Sequence, residues 1–142
     1  MINQLMYGGG IKDRLQSAVL LNLPEWYIDG LISYVANGWD AEYDNRMRDG
    51  ITSGRYSHFN RMAATETVFA GHSVWNYIVE TYGATSISNL LYMTRINRNA
   101  ESGFLYVLGI NTKELTQNWL SYYQRQYVDD DKDRVQPTGK PV

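Results

Sequence analysis

Asp29 is the residue whose surroundings most demand a chemical account. It stands in the stretch Leu23-Pro24-Glu25-Trp26-Tyr27-Ile28-Asp29-Gly30-Leu31-Ile32-Ser33-Tyr34, a carboxylate inside an aromatic and aliphatic run. Such a group is solvated on the polar side of its helix, paired, or placed there to do something, because a charge is costly to leave in an apolar setting. Metal ligation is one chemistry that a carboxylate supports. A catalytic zinc, however, takes three protein ligands and leaves a fourth position for water, and two histidines one helical turn apart, as in HExxH, commonly supply two of them. No HExxH occurs here, and the two histidines, His58 and His72, both follow Asp29 and are far apart in the chain. His58, beside an aromatic set, reads as a surface or packing residue, and His72 as a polar contact on a packed helix. Cysteine is absent, which removes disulfides and thiolate zinc sites. The residues by themselves give no catalytic residue and no metal set.

The elements that must position Asp29 follow from spacing. Pro24 suits a first helical turn, where the amide it lacks has no partner anyway. Tyr27, Leu31, Tyr34 and Val35 then fall on one helical face. Asn37-Gly38 ends this helix, and Asp40 caps the next. Glu42, Asp44, Arg46, Arg48 and Asp49 alternate in sign and predict a solvated helix face. Gly50 to Gly54 reads as a turn, after which Tyr56, Phe59, Met62 and Ala63 resume helical spacing. A longer helix is expected from about Thr65 to Tyr82, with Gly71 allowing a neighbour to approach closely and Gly83 closing it. Ser86 is the expected cap of a helix carrying Ile87, Leu90, Leu91 and Thr94, with Arg95 and Arg98 near its end. Phe104 to Leu108 is a short apolar segment ended by Gly109. Thr112 is the expected cap of the last helix, whose Leu115, Trp119, Leu120, Tyr122, Tyr123 and Tyr127 form a core stripe.

Ahead of these, Ile2, Leu5 and Met6 have helical spacing before Gly8-Gly9-Gly10, and Ile11, Leu15, Ala18 and Val19 predict an amphipathic helix over Ile11 to Leu21. The expectation is an all-α domain of about six to eight short helices over residues 1–128. Residues 129–142, opening with Asp129-Asp130-Asp131 and containing Pro137, Gly139 and Pro141, read as a polar tail or linker.

Three motifs carry a resemblance. Leu23-Pro24-x-Trp26-x-x-Asp29-Gly30-Leu31-x-x-Tyr34 resembles the LPxWxxEGLAxY segment of gluzincin-type zinc peptidases, the peptidase MA-like domains. The run Ala70-Gly71-His72-Ser73 through Tyr77, Glu80, Tyr82 and Gly83 is similar to the family's AGxSxxxYxxExYG helix. Leu108-Gly109, Glu114-Leu115 and Trp119 are similar to its closing LGxxxxELxxxW helix. The resemblance implies the C-terminal helical part of such a domain, with Asp29 at the third zinc-ligand position and Trp26, Asp29 and Tyr34 along a cleft helix. It also implies a periplasmic or cell-envelope setting in a bacterium and a neighbouring TolB-like β-propeller. By alignment the family's oxyanion-steadying position falls near Val68, which has no donor.

The family's HExxH helix belongs just before this segment. Either it lies upstream of Met1, so that the chain is a fragment, or Asn3-Gln4-Leu5-Met6-Tyr7 is a relic in its spacing; the plainer reading of this stretch is a helix end packed in the core. Asn and Tyr are poor zinc ligands, and a neutral Gln takes no proton from a metal-bound water. The expected function is therefore a non-catalytic module that binds a peptide or a neighbouring domain, with no cofactor; the alternative is a truncated zinc peptidase, with zinc bound once the upstream motif is restored.

Composition agrees with a folded domain. At 142 residues the chain can bury about 68–70% of its unfolded surface. A net charge of −2 provides no general field for nucleic acid. No apolar run approaches the roughly 20 residues of a membrane span, so no membrane insertion is expected. An apolar face left bare by a missing subdomain predicts a homodimer.

Overall fold

A computed structural model describes the backbone of residues 23–139 and the side chains of residues 23–128. Within these bounds the chain is all-helical: α1 (Glu25–Asn37), α2 (Ala41–Thr52), α3 (Phe59–Thr65), α4 (Thr67–Tyr82), α5 (Thr85–Asn97), α6 (Ala100–Leu108) and α7 (Thr112–Gly139), with no strand among the described residues. The expected turn of helix at Ile2 to Met6, the Asn3 to Tyr7 relic and the Ile11 to Leu21 helix lie outside the described residues. No described helix is long and apolar enough to cross a membrane.

Helix α4 is the centre of the assembly, and every residue from Phe69 to Ile78 is buried. Helix α1 crosses it at Gly30 and Gly71. A Cβ on Gly71 would collide with the Trp26 carbonyl oxygen, and one on Gly30 with the Gly71 backbone, so the two helices meet backbone to backbone. This closeness lets the Trp75 indole N–H donate to the Tyr27 carbonyl at 3.0 Å. Helix α7 packs on another side of α4 with a four-residue stripe, Leu115, Trp119, Tyr123 and Tyr127, each at most 1% exposed. Side chains four apart lie one above another on a helix, which is why this stripe reads correctly from spacing. Helices α5 and α6 pair through Gly103, which lies against Thr94.

The helix ends show where local signals hold and where they do not. Gly38 ends α1 with φ 67° and donates its amide to Tyr34. Asp40 caps α2 by accepting the amides of Glu42 and Tyr43 at 3.0 and 3.1 Å. Ser86, by contrast, is not a cap: it is buried inside α5, whose first turn follows Ala84. Thr112 is not a cap either. Asn111 accepts the Glu114 amide at 2.8 Å while Glu114 accepts the Asn111 amide at 3.1 Å, a reciprocal capping pair. Thr112 instead donates its hydroxyl to Glu101 at 2.8 Å. The turn expected from Gly50 begins later, because α2 runs to Thr52 and Gly50 makes room for the Tyr56 ring. The helix expected over about Thr65 to Tyr82 runs from Thr67 to Tyr82, starting after Glu66, where φ −134° and ψ 61° separate α3 from α4.

Candidate functional site

The crossing of α1 and α4 fixes the position of one polar cluster. Ser33 lies one turn beyond Gly30 on α1, and His72 follows Gly71 on α4, so the glycine contact brings hydroxyl and imidazole together. The Ser33 Oγ to His72 Nδ1 distance is 2.7 Å. The other ring nitrogen, Nε2, is 2.6 Å from the Gly38 carbonyl oxygen. A carbonyl can only accept, so Nε2 carries the proton; in a neutral ring Nδ1 is then an acceptor, and Ser33 donates to it. Gly38 supplies this carbonyl through the same positive-φ turn that ends α1.

Aromatic rings close over the imidazole. Tyr43, on the first turn of α2, stacks on it with centroids 4.1 Å apart and planes at 21°, and Tyr34 meets it edge-on at 5.6 Å. Trp39 lies at 5.7 Å. His72 is fully buried, and that burial holds its pKa below the ordinary histidine value of 6.5, against the Gly38 hydrogen bond and the Asp40 charge, which favour the protonated form, and with Arg46, which disfavours it. The ring is neutral at neutral pH.

Ser33 also borders a groove of about 410 Å³ between α1, α2 and α4, together with Tyr43, Arg46, Glu66, Val68 and Phe69. Val68, 48% exposed, is an apolar part of its lining. Arg46 lies 4.0 Å over the Phe69 ring and pairs with Glu66 at 2.6 Å. Glu66 also accepts the Tyr56 hydroxyl at 2.7 Å. Burial pushes the Glu66 carboxyl up, but the Tyr56 hydrogen bond and Arg46 outweigh it and hold its pKa below the ordinary value.

The residues expected along the cleft helix have different surroundings among the described residues. Trp26 is nearly buried, edge-on to Phe59 at 5.2 Å and parallel to Phe104 at 6.2 Å, and it lines a second groove of about 430 Å³ with Leu23, Pro24, Arg98 and Glu101. Tyr34 touches His72. Asp29 is half-buried and has no hydrogen bond or ion pair among the described residues.

Among the described residues the donors do not come together as a zinc set. Both nitrogens of His72 are committed to Ser33 and Gly38, and His58 is exposed at the start of α3, beside Ser57. No group of three His, Cys, Asp or Glu side chains among the described residues could hold an ion. Val68 is exposed and apolar.

Comparison with family models, with curated proteins and with solved structures finds no match to this chain. Its functional reading rests on the geometry above.

Spacing around Asp29 does not reveal Ser33 or Gly38 as partners of His72. The available signal is the pairing of small residues, Gly30 with Ser33 on one helix and Gly71 beside His72 on the other. Asp44 is a second missed residue. Expected on a solvated face, it accepts the Tyr127 hydroxyl at 2.7 Å and the Trp39 indole N–H at 3.2 Å, and so ties α2 to α7.

Proposed function

We propose that this chain is a binding module derived from a peptidase MA-like domain, without zinc-dependent hydrolysis of its own. Its groove between α1, α2 and α4 holds a peptide or a neighbouring protein domain. One observation carries this reading: Val68 is about half exposed in a groove also lined by Ser33, Tyr43 and the Arg46–Glu66 pair. A groove with an exposed apolar side chain and a few polar groups in its lining suits a short peptide, which offers both an apolar side chain and a polar backbone.

A random-peptide display library, selected on the full chain, tests it. Enriched peptides whose binding is lost in Val68→Asp support the groove. No enrichment, or enrichment indifferent to Val68→Asp, overturns it.

The truncated zinc peptidase is the second reading, with its histidines supplied by residues upstream of Met1. Asp29 favours it, since its half-buried carboxylate has no partner among the described residues. A zinc titration of the protein with the residues upstream of Met1 restored separates the two readings. Tight stoichiometric binding that Asp29→Ala abolishes favours the peptidase.

Self-association has its own candidate residues, Tyr92 and Ile96 on α5 and Leu105 and Tyr106 on α6, which are 49–70% exposed. Light scattering that reports a monomer at high concentration removes the homodimer.

A further inference from the structure

We infer that Ser33 is a base-activated hydroxyl, a covalent acylation site that accepts the acyl group of a carboxylic ester bound in the groove.

The inference goes beyond the binding reading and stands on three features of the cluster. The hydroxyl and the base are within hydrogen-bond reach at 2.7 Å, and the base is oriented by a third group, the Gly38 carbonyl, at 2.6 Å. The tautomer is the required one, because Nδ1 is left as the acceptor facing Ser33. The base is shielded while the nucleophile is not: His72 is fully buried, whereas Ser33 is partly exposed and borders the 410 Å³ groove.

Other hydroxyls of the chain are spent differently. Ser73 donates to the Ala70 carbonyl at 2.7 Å, Ser88 to the Thr85 carbonyl at 3.2 Å and Ser53 to the Gly50 carbonyl at 3.3 Å. A carbonyl oxygen does not take the proton, so these oxygens gain no nucleophilicity. Ser57 and His58 are also in contact, but at 3.2 Å on the exposed surface, which makes them an internal control.

In the reaction, Ser33 Oγ forms a bond to the ester carbonyl carbon as its proton passes to His72 Nδ1. The carbonyl oxygen takes up the displaced electron pair, and the cation Arg46 is in the same groove. Collapse of the tetrahedral intermediate breaks the bond to the alcohol oxygen, which leaves with the proton from Nδ1. The products are acyl-Ser33, a free alcohol and a neutral His72. Throughout, Nε2–H stays on the Gly38 carbonyl and holds the ring. The charged and titratable groups around that ring are Asp40 after α1, Tyr34 on α1, and Tyr43 and Arg46 on α2.

The test uses a fluorophosphonate probe on the full chain, with the modified residue mapped by mass spectrometry. The expected result is a single adduct on Ser33, absent in Ser33→Ala, and formed about 100-fold or more slowly in His72→Gln, the scale of a positioned general base. In the wild type the labelling rate should fall on acidification with a midpoint below 6.5, because burial lowers the His72 pKa. This profile needs no variant, so a folding defect in His72→Gln does not blunt the test. No adduct, an adduct on Ser57, or a labelling rate that does not fall on acidification below 6.5 overturns the proposal. Peptide binding through Val68 is read separately, so the groove reading and this one can fail independently.

Discussion

Helix α4 presents two polar side chains in succession to two different neighbours, His72 to α1 and Ser73 to α7, and the two sides are built on different principles. On the α7 side every donor ends on an oxygen that keeps its electrons. The Trp119 indole donates to Ser73 Oγ at 2.9 Å, the Tyr123 hydroxyl to the Ser73 carbonyl at 2.8 Å, and the Asn76 amide to the Tyr123 hydroxyl at 3.0 Å. All of these groups are buried, and burial pushes the Tyr123 pKa well above its ordinary value. This network locks α7 in place and moves no proton. On the α1 side the acceptor is an imidazole nitrogen, and its donor borders solvent. Burying a hydrogen bond rigidifies; what decides whether it is also reactive is the basicity of the acceptor and access to the donor.

Substitutions that break either side should rank accordingly. Gly71→Ala is the largest, because its Cβ meets the Trp26 carbonyl and α1 must move away from α4. We expect a loss of about 3 kcal/mol even after the roughly 1 kcal/mol that Ala gains over Gly in a helix, measured by urea unfolding. A variant of wild-type stability would show that the two helices do not touch at this crossing.

Ser73→Ala comes next. It strands the Trp119 N–H in a dry core, at about 2 kcal/mol, the scale of an unsatisfied buried donor. Replacing Trp119 by Phe in the same background should restore part of the loss, since it removes the stranded group.

The pH response sharpens the contrast, because only the α1 side titrates near neutrality. The unfolded chain takes a proton on His72 near pH 6.5, whereas the folded chain takes it at lower pH. Stability is therefore full above about 6.5 and falls as pH drops from there towards the folded value, by at most about 1.4 kcal/mol per pH unit for one proton. His72→Gln should flatten this slope relative to wild type between pH 7 and 5. An unchanged slope would place the titration elsewhere.

Ser33→Ala is the smallest, at about 0.5–1 kcal/mol, because water from the groove can replace the lost donor to Nδ1. A cost equal to that of Ser73→Ala would mean that Ser33 is as enclosed as Ser73, and the contrast between the two sides would fail.

Much of the framework was legible. The Tyr27 and Leu31 face, the Asn37-Gly38 stop, the Asp40 cap and the Trp119-Tyr123-Tyr127 stripe depend on periodicity and on interactions within one turn of the chain. Gly71 was legible too, as a place of close approach. The misreadings at Ser86 and Thr112 share a cause. Any Ser or Thr near a helix start can serve as a cap, but Ser86 is taken into the core and Thr112 is claimed by Glu101, eleven residues away.

The sequence alone determined that this is a helical protein, where most of its helices stop, and that it contains no HExxH, because those properties are local or are simply composition. Only the tertiary structure decided that Ser33, Gly38 and His72 form one unit, that Asp44 is an anchor rather than a solvated acid, and that Trp26 lines a groove while Tyr34 packs on His72. These pairings join residues 34 to 83 positions apart, or separate residues on a single helix, and they are set by the angle and closeness of packed helices, which no spacing along the chain records.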